Sequence, residues 1–197
     1  VLAHLQDQSK NKEEIFQFVM RAHKFLRTIE LGGTDNNTKK KAIPFVWACN
    51  GLSAGIATEI GLACHHRIAA DIKNTKIGLP EILVGLFPGA GGATRVSRML
   101  GLMASAPILM EGRMFSAKKA KTIGLINEVS SPLDLIDDSK KFILNATKED
   151  ITKPWDKKGF KIPGGAPYHP NGFMTFVGAS AMISSKTKNL YLSLIHI

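Results

Sequence analysis

Between residues 42 and 129, short apolar runs of strand length alternate with stretches whose apolar residues recur every three or four positions, and glycine-rich turns separate the two. A chain with that rhythm folds as an α/β protein, because each strand buries its faces under the helices that connect it to the next. Residues 42–48 (AIPFVWA) read as a buried strand, with Pro44 kept near its start because proline cannot donate to a ladder. NGLSAG is a turn-rich segment leading into a helical pattern over residues 56–69, and the apolar pieces at 67–70 and 76–79 fit strands. GLFPGAGG, residues 85–92, is a glycine-rich loop opening a helix over about 93–99. Ser116 is the candidate N-cap of a short helix ending at 124, followed by a strand at 125–129 and a helix over about 132–146. Ahead of all this, Ile15, Phe18, Val19, Ala22, Phe25, Leu26 and Ile29 line one face of a helix over 12–29, and residues 32–41 form a polar loop.

At 197 residues the chain fits one domain with a tail. The α/β rhythm occupies residues 1–146, while residues 147–197 are Lys-, Gly- and Pro-rich with sparse periodicity and are expected to be an irregular or helical extension. The longest uncharged run, 162–185, is broken by Pro163, Gly164, Gly165, Pro167, Pro170 and Gly172, so it is no apolar spanning helix, and no membrane span is expected. Cys49 and Cys64 lie in apolar stretches and are expected to be buried free thiols in a reducing compartment. No secretory leader opens the sequence. The expected location is therefore the cytoplasm of a bacterium, or the mitochondrial matrix in a eukaryote. Residue 1 is Val, which is consistent with a fragment of a longer protein.

The net charge of +10 has to be located before it is interpreted. Residues 49–138 carry 9 basic against 8 acidic side chains, so the excess sits in the flanks, scattered apart from Lys39, Lys40 and Lys41 in the polar loop. A nucleic-acid reader concentrates its basic groups on one element with aromatics between them, so nucleic acid is not expected as a partner, and RNA binding through the flanks is the weakest of the readings. A basic surface equally suits a small polyanionic ligand.

Two carboxylates stand among apolar and small residues: Glu59 in GIATEIGLAC and Glu81 in IGLPEILVGL. An apolar pocket disfavours a carboxylate's charged form and brings it toward the range where it both gives and takes a proton near neutrality. The plainer alternative is that each merely complements a helix start. Gly55 and Ile56 open the second helix, where free backbone N–H groups aimed at a carbonyl make half an oxyanion hole. The Pro88–Gly92 loop is not a dinucleotide fingerprint, since the pattern counted from Gly89 needs a glycine where Thr94 stands. No phosphate loop and no Gly-x-Ser-x-Gly elbow occur, and Cys64, His65 and His66 lack a second ligand pair, so no metal is expected.

The runs ACNGLSAGIATEIGLACHHRIAA (48–70), KIGLPEILVGLFPGAGGATRVSRMLG (76–101) and LMEGRMFSAKKAKTIGLINEV (109–129) closely resemble the crotonase, or enoyl-CoA hydratase/isomerase, superfamily. Within it they look most like the hydratase part of the multifunctional fatty-acid oxidation alpha chains, which are fused to a 3-hydroxyacyl-CoA dehydrogenase. PWDKKGFKIPGG (154–165) resembles the connection beyond the hydratase core. The resemblance implies a crotonase-like spiral of ββα units, with its N-terminal strands missing from this chain. It implies homo-oligomers or packing into a thiolase-containing complex, and an acyl-CoA thioester as substrate. No cofactor is implied in this chain, NAD belonging to the dehydrogenase part. Carried over by motif, Glu59 is the base and Glu81 the acid that add water across the 2,3 double bond of an enoyl-CoA. The amide of Ile56 beside Gly55 is an oxyanion donor, and Pro88, Gly89 and Gly91 belong to the substrate-binding loop. Isomerase activity, or an acyl-CoA-binding fragment without turnover, are the alternatives. Three departures bear on this: Gly55, Ile56 and Ala57 stand where the family commonly has three glycines, no Gly-Ala-Asp-like segment precedes the first helix to supply a second oxyanion donor, and residues 192–197 do not continue the pattern.

Overall fold

The computed structural model describes residues 11–34 and 41–166, with isolated positions from 168 to 188. The expectations for an upstream oxyanion segment, for Lys39 and Lys40, and for residues 192–197 lie outside the described residues.

The first helix, α1 (Lys12–Glu30), starts where the side chain of Asn11 accepts the N–H of Glu14 at 2.9 Å, with Glu13 and Glu14 in its positive first turn. Its Leu26 and Ile29 are buried against Ala63, Cys64 and Ala90. The strands that follow are β1 (Val46–Cys49), β2 (Leu52–Ala54), β3 (His66–Ala70), β4 (Lys76–Gly78), β5 (Met114–Phe115) and β6 (Glu128–Ser130). They form two sheets among the described residues: β1, β3 and β6 run parallel with β3 central, while β2 pairs parallel with β4 and β4 antiparallel with β5. The remaining helices are α2 (Ile56–Ala63), α3 (Gly92–Leu100), α4 (Leu102–Leu109), α5 (Ala117–Thr122) and α6 (Leu135–Asn145), with short 3-10 turns at Glu81–Val84 and Pro154–Asp156.

Strand β3 is covered on both faces, the environment that parallel strands require. Ala69 faces a core of Leu62, Ile77, Leu79, Val96, Ile108 and Leu125, whereas Ile68 and Ala70 face Leu135 of α6. Both thiols, Cys49 and Cys64, are free and buried. The α/β class expected from the sequence is met by a mixed α/β chain with two small open sheets.

Local boundaries differ from the sequence reading in instructive ways. The second helix stops at Ala63, and Cys64 turns to extended backbone, because residues 66–70 are needed as the central strand. A continuous apolar run satisfies either element, and pairing on both sides decides for the strand. Leu52–Ala54, read as turn, is a strand because its ladder with β4 outweighs the local turn chemistry. Helix α4 was not anticipated and contains Pro107 in its last turn. Ser116 does cap α5, accepting the N–H of Lys119 at 3.4 Å.

Beyond α6, residues 147–166 return to the body. Asp156 takes both guanidinium arms of Arg27, at 2.7 and 3.0 Å. Lys153, only 4% exposed, donates to the carbonyls of Leu62 and Cys64 at the C-terminus of α2, at 3.0 and 2.6 Å. Two carbonyls match the two N–H groups of a neutral amine. Burial, with the Arg67 charge adding to it, pushes Lys153 down from 10.5 to about 7. The unfolded chain keeps that proton up to the ordinary lysine value, so above neutrality the unfolded state binds more protons and stability rises with pH. Urea midpoints measured from about pH 7 to about pH 9.5 should climb more steeply in the wild-type chain than in Lys153→Met. Parallel curves would mean that the amine is buried with its charge.

Candidate active site

Helix α2 carries Glu59 in its first turn and, Thr58 apart, is otherwise apolar (IATEIGLA), so packing pulls most of the helix, carboxylate included, into the core. Glu59 is 3% exposed. Its Oε1 accepts the N–H of Gly92 at 2.7 Å, the first residue of α3, so the carboxylate sits at the positive end of a second helix. Burial raises its pKa, while the amides of Gly92 and Ala90 and the charges of Arg95 and His23 pull the other way.

Glu81 opens the 3-10 turn that follows Pro80. Its Oε2 is buried without a hydrogen-bond partner. Burial raises its pKa, its own amide opposes this, and the negative charge of Glu59 raises it further. Its Oε1 lies against Gly55, where an added Cβ would stand 3.1 Å away.

Gly55 caps α2 at φ 60° and ψ −127°, backbone that a residue with a Cβ avoids. Its N–H donates to the carbonyl of Gly78 at the end of β4, and its own carbonyl accepts from Thr58 and Glu59. The amides of Ile56 and Ala57 thus open the helix with no carbonyl of α2 to accept them. The Ile56 side chain is 41% exposed, so the departure from glycine at this position adds an apolar group facing outward. Thr58 donates its hydroxyl to the carbonyl of Ser53, and the Ser53 hydroxyl donates back to Thr58 Oγ1, each at 2.9 Å. This pair ties the start of α2 to β2.

In the glycine-rich loop Pro88 is buried, Gly89 exposed, and Gly91 takes a left-handed cap at φ 94°. Two side chains hold the loop's carbonyls. His23 Nε2 donates to Gly89 at 2.6 Å, and Arg95 Nη1 donates to Ala90 at 2.9 Å. Arg95 in turn donates through Nε to Glu30, which also accepts from Arg27. Sequence reading singled out none of Ser53, Thr58, His23, Glu30 and Arg95, because their partners lie far away in the chain or on a different element. His65 and His66 are occupied elsewhere: His65 accepts the N–H of Phe45 and donates to the Glu30 carbonyl, and His66 lies 3.0 Å from Glu128. Among the described residues no three His, Cys, Asp or Glu side chains gather as a metal site.

The arrangement is one buried and one half-buried carboxylate beside the open amides of a helix start. Residues 34–151 match the model of the enoyl-CoA hydratase/isomerase family, a range that includes both glutamates. The chain belongs to that family. It is 39% identical over 100 residues to the fatty acid oxidation complex subunit alpha of Vibrio parahaemolyticus, covering 51% of this chain and 14% of the relative. To the subunit of the same name from Shewanella loihica it is 33% identical over 150 residues, covering 76% and 21%. The chain thus spans about a fifth or less of the length of these relatives. An enoyl-CoA hydratase from a Polaromonas species superposes with a TM-score of 0.60 at 26% identity, covering 72% of this chain and 51% of the other. One from Bacillus anthracis superposes at 0.57 and 24% identity, covering 95% and 64%, and supports the fold.

A Cβ on Gly92 would stand 2.8 Å from Glu59 Oε1 and 3.0 Å from Pro88 Cβ, whereas one on Gly89 meets nothing nearer than 3.8 Å. Gly92→Ala should therefore destabilise the fold by about 1–3 kcal/mol in urea unfolding, and Gly89→Ala by less than about 0.5 kcal/mol. Equal losses in the two variants would mean that Glu59 is not held against α3.

Proposed function

We propose that this chain adds water across the 2,3 double bond of an enoyl-CoA thioester. The observation that carries the reading is the buried, unpartnered Oε2 of Glu81 on a carboxylate that feels the charge of Glu59. Such an oxygen is stable as a protonated carboxyl or with a water to bond to, and the reaction supplies both conditions.

The two environments divide the labour. Glu59 has backbone amides and Arg95 favouring its anion, so it is the base. Glu81 has burial and a like charge against its anion, so it is the acid. Glu59 removes a proton from the water as the water oxygen attacks C3. The double-bond electrons move through C2 onto the thioester oxygen, where the amide of Ile56 stabilises the developing enolate. Glu81 then delivers its proton to C2 on the same side, and H and OH have been added with Glu59 protonated and Glu81 ionised. Exchange of that proton with water restores both groups. Leu52, Ile56, Leu83, Val84, Leu86 and Phe87 are exposed apolar side chains close in the chain to Gly55 and Glu81, a surface suited to an acyl chain.

The likeness to fatty acid oxidation alpha subunits supports placing the chain in β-oxidation, as part of a longer protein with an NAD-dependent 3-hydroxyacyl-CoA dehydrogenase half. The same likeness, to bacterial proteins, supports a cytoplasmic setting and assembly as an oligomer or with a thiolase. No described helix is long and apolar enough to cross a membrane.

The test is loss of the conjugated enoyl-thioester absorbance. Glu59→Gln and Glu81→Gln should each lower kcat by about 10²- to 10⁴-fold. Full hydration activity in both variants would overturn the mechanism, and loss in only one would favour double-bond isomerisation. A second readout follows from the raised pKa values. The folded chain binds these protons more tightly than the unfolded one, so the stability they contribute is complete below the ordinary glutamate value and is lost as pH rises through the folded value. Both Gln variants should therefore melt higher than wild type at pH 7, with the gain vanishing near about pH 4, where the unfolded glutamates are themselves largely protonated.

A further inference from the structure

The peptide unit joining Gly89 to Ala90 has the side chain of His23 at its carbonyl end and lies two residues ahead of Gly92, whose amide Glu59 Oε1 accepts at 2.7 Å. His23 Nε2 lies 2.6 Å from the Gly89 carbonyl, and since a carbonyl only accepts, Nε2 carries the proton. The amide of Ala90, the other half of that peptide, favours the Glu59 anion. In a trans peptide the C=O of one residue and the N–H of the next point in opposite directions, so whatever fixes the carbonyl also aims the amide. No peptide bond in the described chain is cis. A hydrogen bond to the carbonyl also polarises the unit and makes its N–H a stronger donor.

Pro88 and Ala90, on either side of Gly89, are buried. Gly89 is exposed, and its lack of a Cβ leaves the peptide free to rotate unless something holds it. The next carbonyl, of Ala90, is held from the other side by Arg95, whose guanidinium is anchored to Glu30. Both His23 and Glu30 belong to α1, which lies ahead of the residues matched by the family model. The charged or titratable groups that bear on Glu59 are thus His23 from α1, Arg95 from α3 and Glu81 from the 3-10 turn.

Resting on the hydratase reading of this site, we infer that His23 is a positioning residue: by holding the Gly89 carbonyl it aims the Ala90 amide at Glu59 and sets the carboxylate that works on the water. His23 acts on the base through one peptide unit. Its role resembles that of the groups orienting a metal ligand or a catalytic imidazole, with a main-chain amide as intermediary.

The test uses the full chain with His23→Ala and His23→Gln. Gln offers an N–H donor without a titratable charge, which separates the hydrogen bond from simple electrostatic attraction. The first readout is the carbon-13 titration of the Glu59 carboxyl, identified by its absence in Glu59→Gln. The second is the split between kcat and KM for enoyl-CoA hydration. In His23→Ala the Glu59 midpoint should move up, and kcat should fall by about tenfold to a hundredfold with KM changed by less than about twofold. His23→Gln should restore both toward wild type. An unmoved Glu59 midpoint in folded His23→Ala, or a His23→Gln variant indistinguishable from it, would overturn the inference. The two readings fail separately. A midpoint that moves in a chain without hydration activity would refute the hydratase reading and keep the positioning role, whereas active enzyme with an unmoved midpoint does the reverse.

Discussion

The buried carboxylate of Glu59 is the constraint around which the rest is arranged. Taking an ionised carboxylate out of water costs several kcal/mol unless its oxygens are satisfied, and among the described residues no side-chain cation is bonded to it. The fold answers with backbone instead. Helix α3 begins at Gly92 so that its first amide meets Oε1, and the loop before it turns Ala90 the same way. Any side chain at position 92 would take the space of the carboxylate, so the glycine there is a matter of volume and not of backbone freedom. The loop's outward carbonyls then need donors of their own, which His23 and Arg95 provide, and Arg95 needs Glu30. One acidic side chain in the core thereby organises α1, α2 and α3.

Glu81 is the counterpart left unsatisfied. Where Glu59 is surrounded by donors, Glu81 has one oxygen buried without any, and a neighbour of its own sign. Burial raises the pKa of both, backbone amides oppose it at Glu59 and a like charge adds to it at Glu81, so the two identical side chains are not equivalent. That arrangement does not serve stability. A carboxyl whose charged form is disfavoured weakens the fold at neutral pH, and the surrounding core of Leu62, Ile77, Leu79 and Val96 has to hold against it.

How much could be read in advance depended on how local the determining interactions are. Helix α1 was legible because its apolar spacing lies within the helix itself. The cap of α5 at Ser116 was legible for the same reason. Residues 66–70 were not cleanly legible, because an apolar run fits helix or buried strand and only the flanking strands β1 and β6 decide. Leu52–Ala54 looked like a turn until β4 gave it a partner. At the site, Glu59, Glu81, Gly55 and Ile56 stood out through their motifs. Their supporting groups did not, since His23 bonds across 66 positions, Arg95 to Glu30 across 65 and Lys153 to Leu62 across 91.

The amino-acid order alone determined the α/β rhythm, the family and the identity of the two glutamates, because each of these is written in side-chain type and short-range spacing. Only the tertiary structure decided which glutamate meets backbone amides and which is left with an unpartnered oxygen and a like charge. That distinction depends on distant backbone amides and on burial, and neither exists until α3 and the glycine-rich loop have closed over α2.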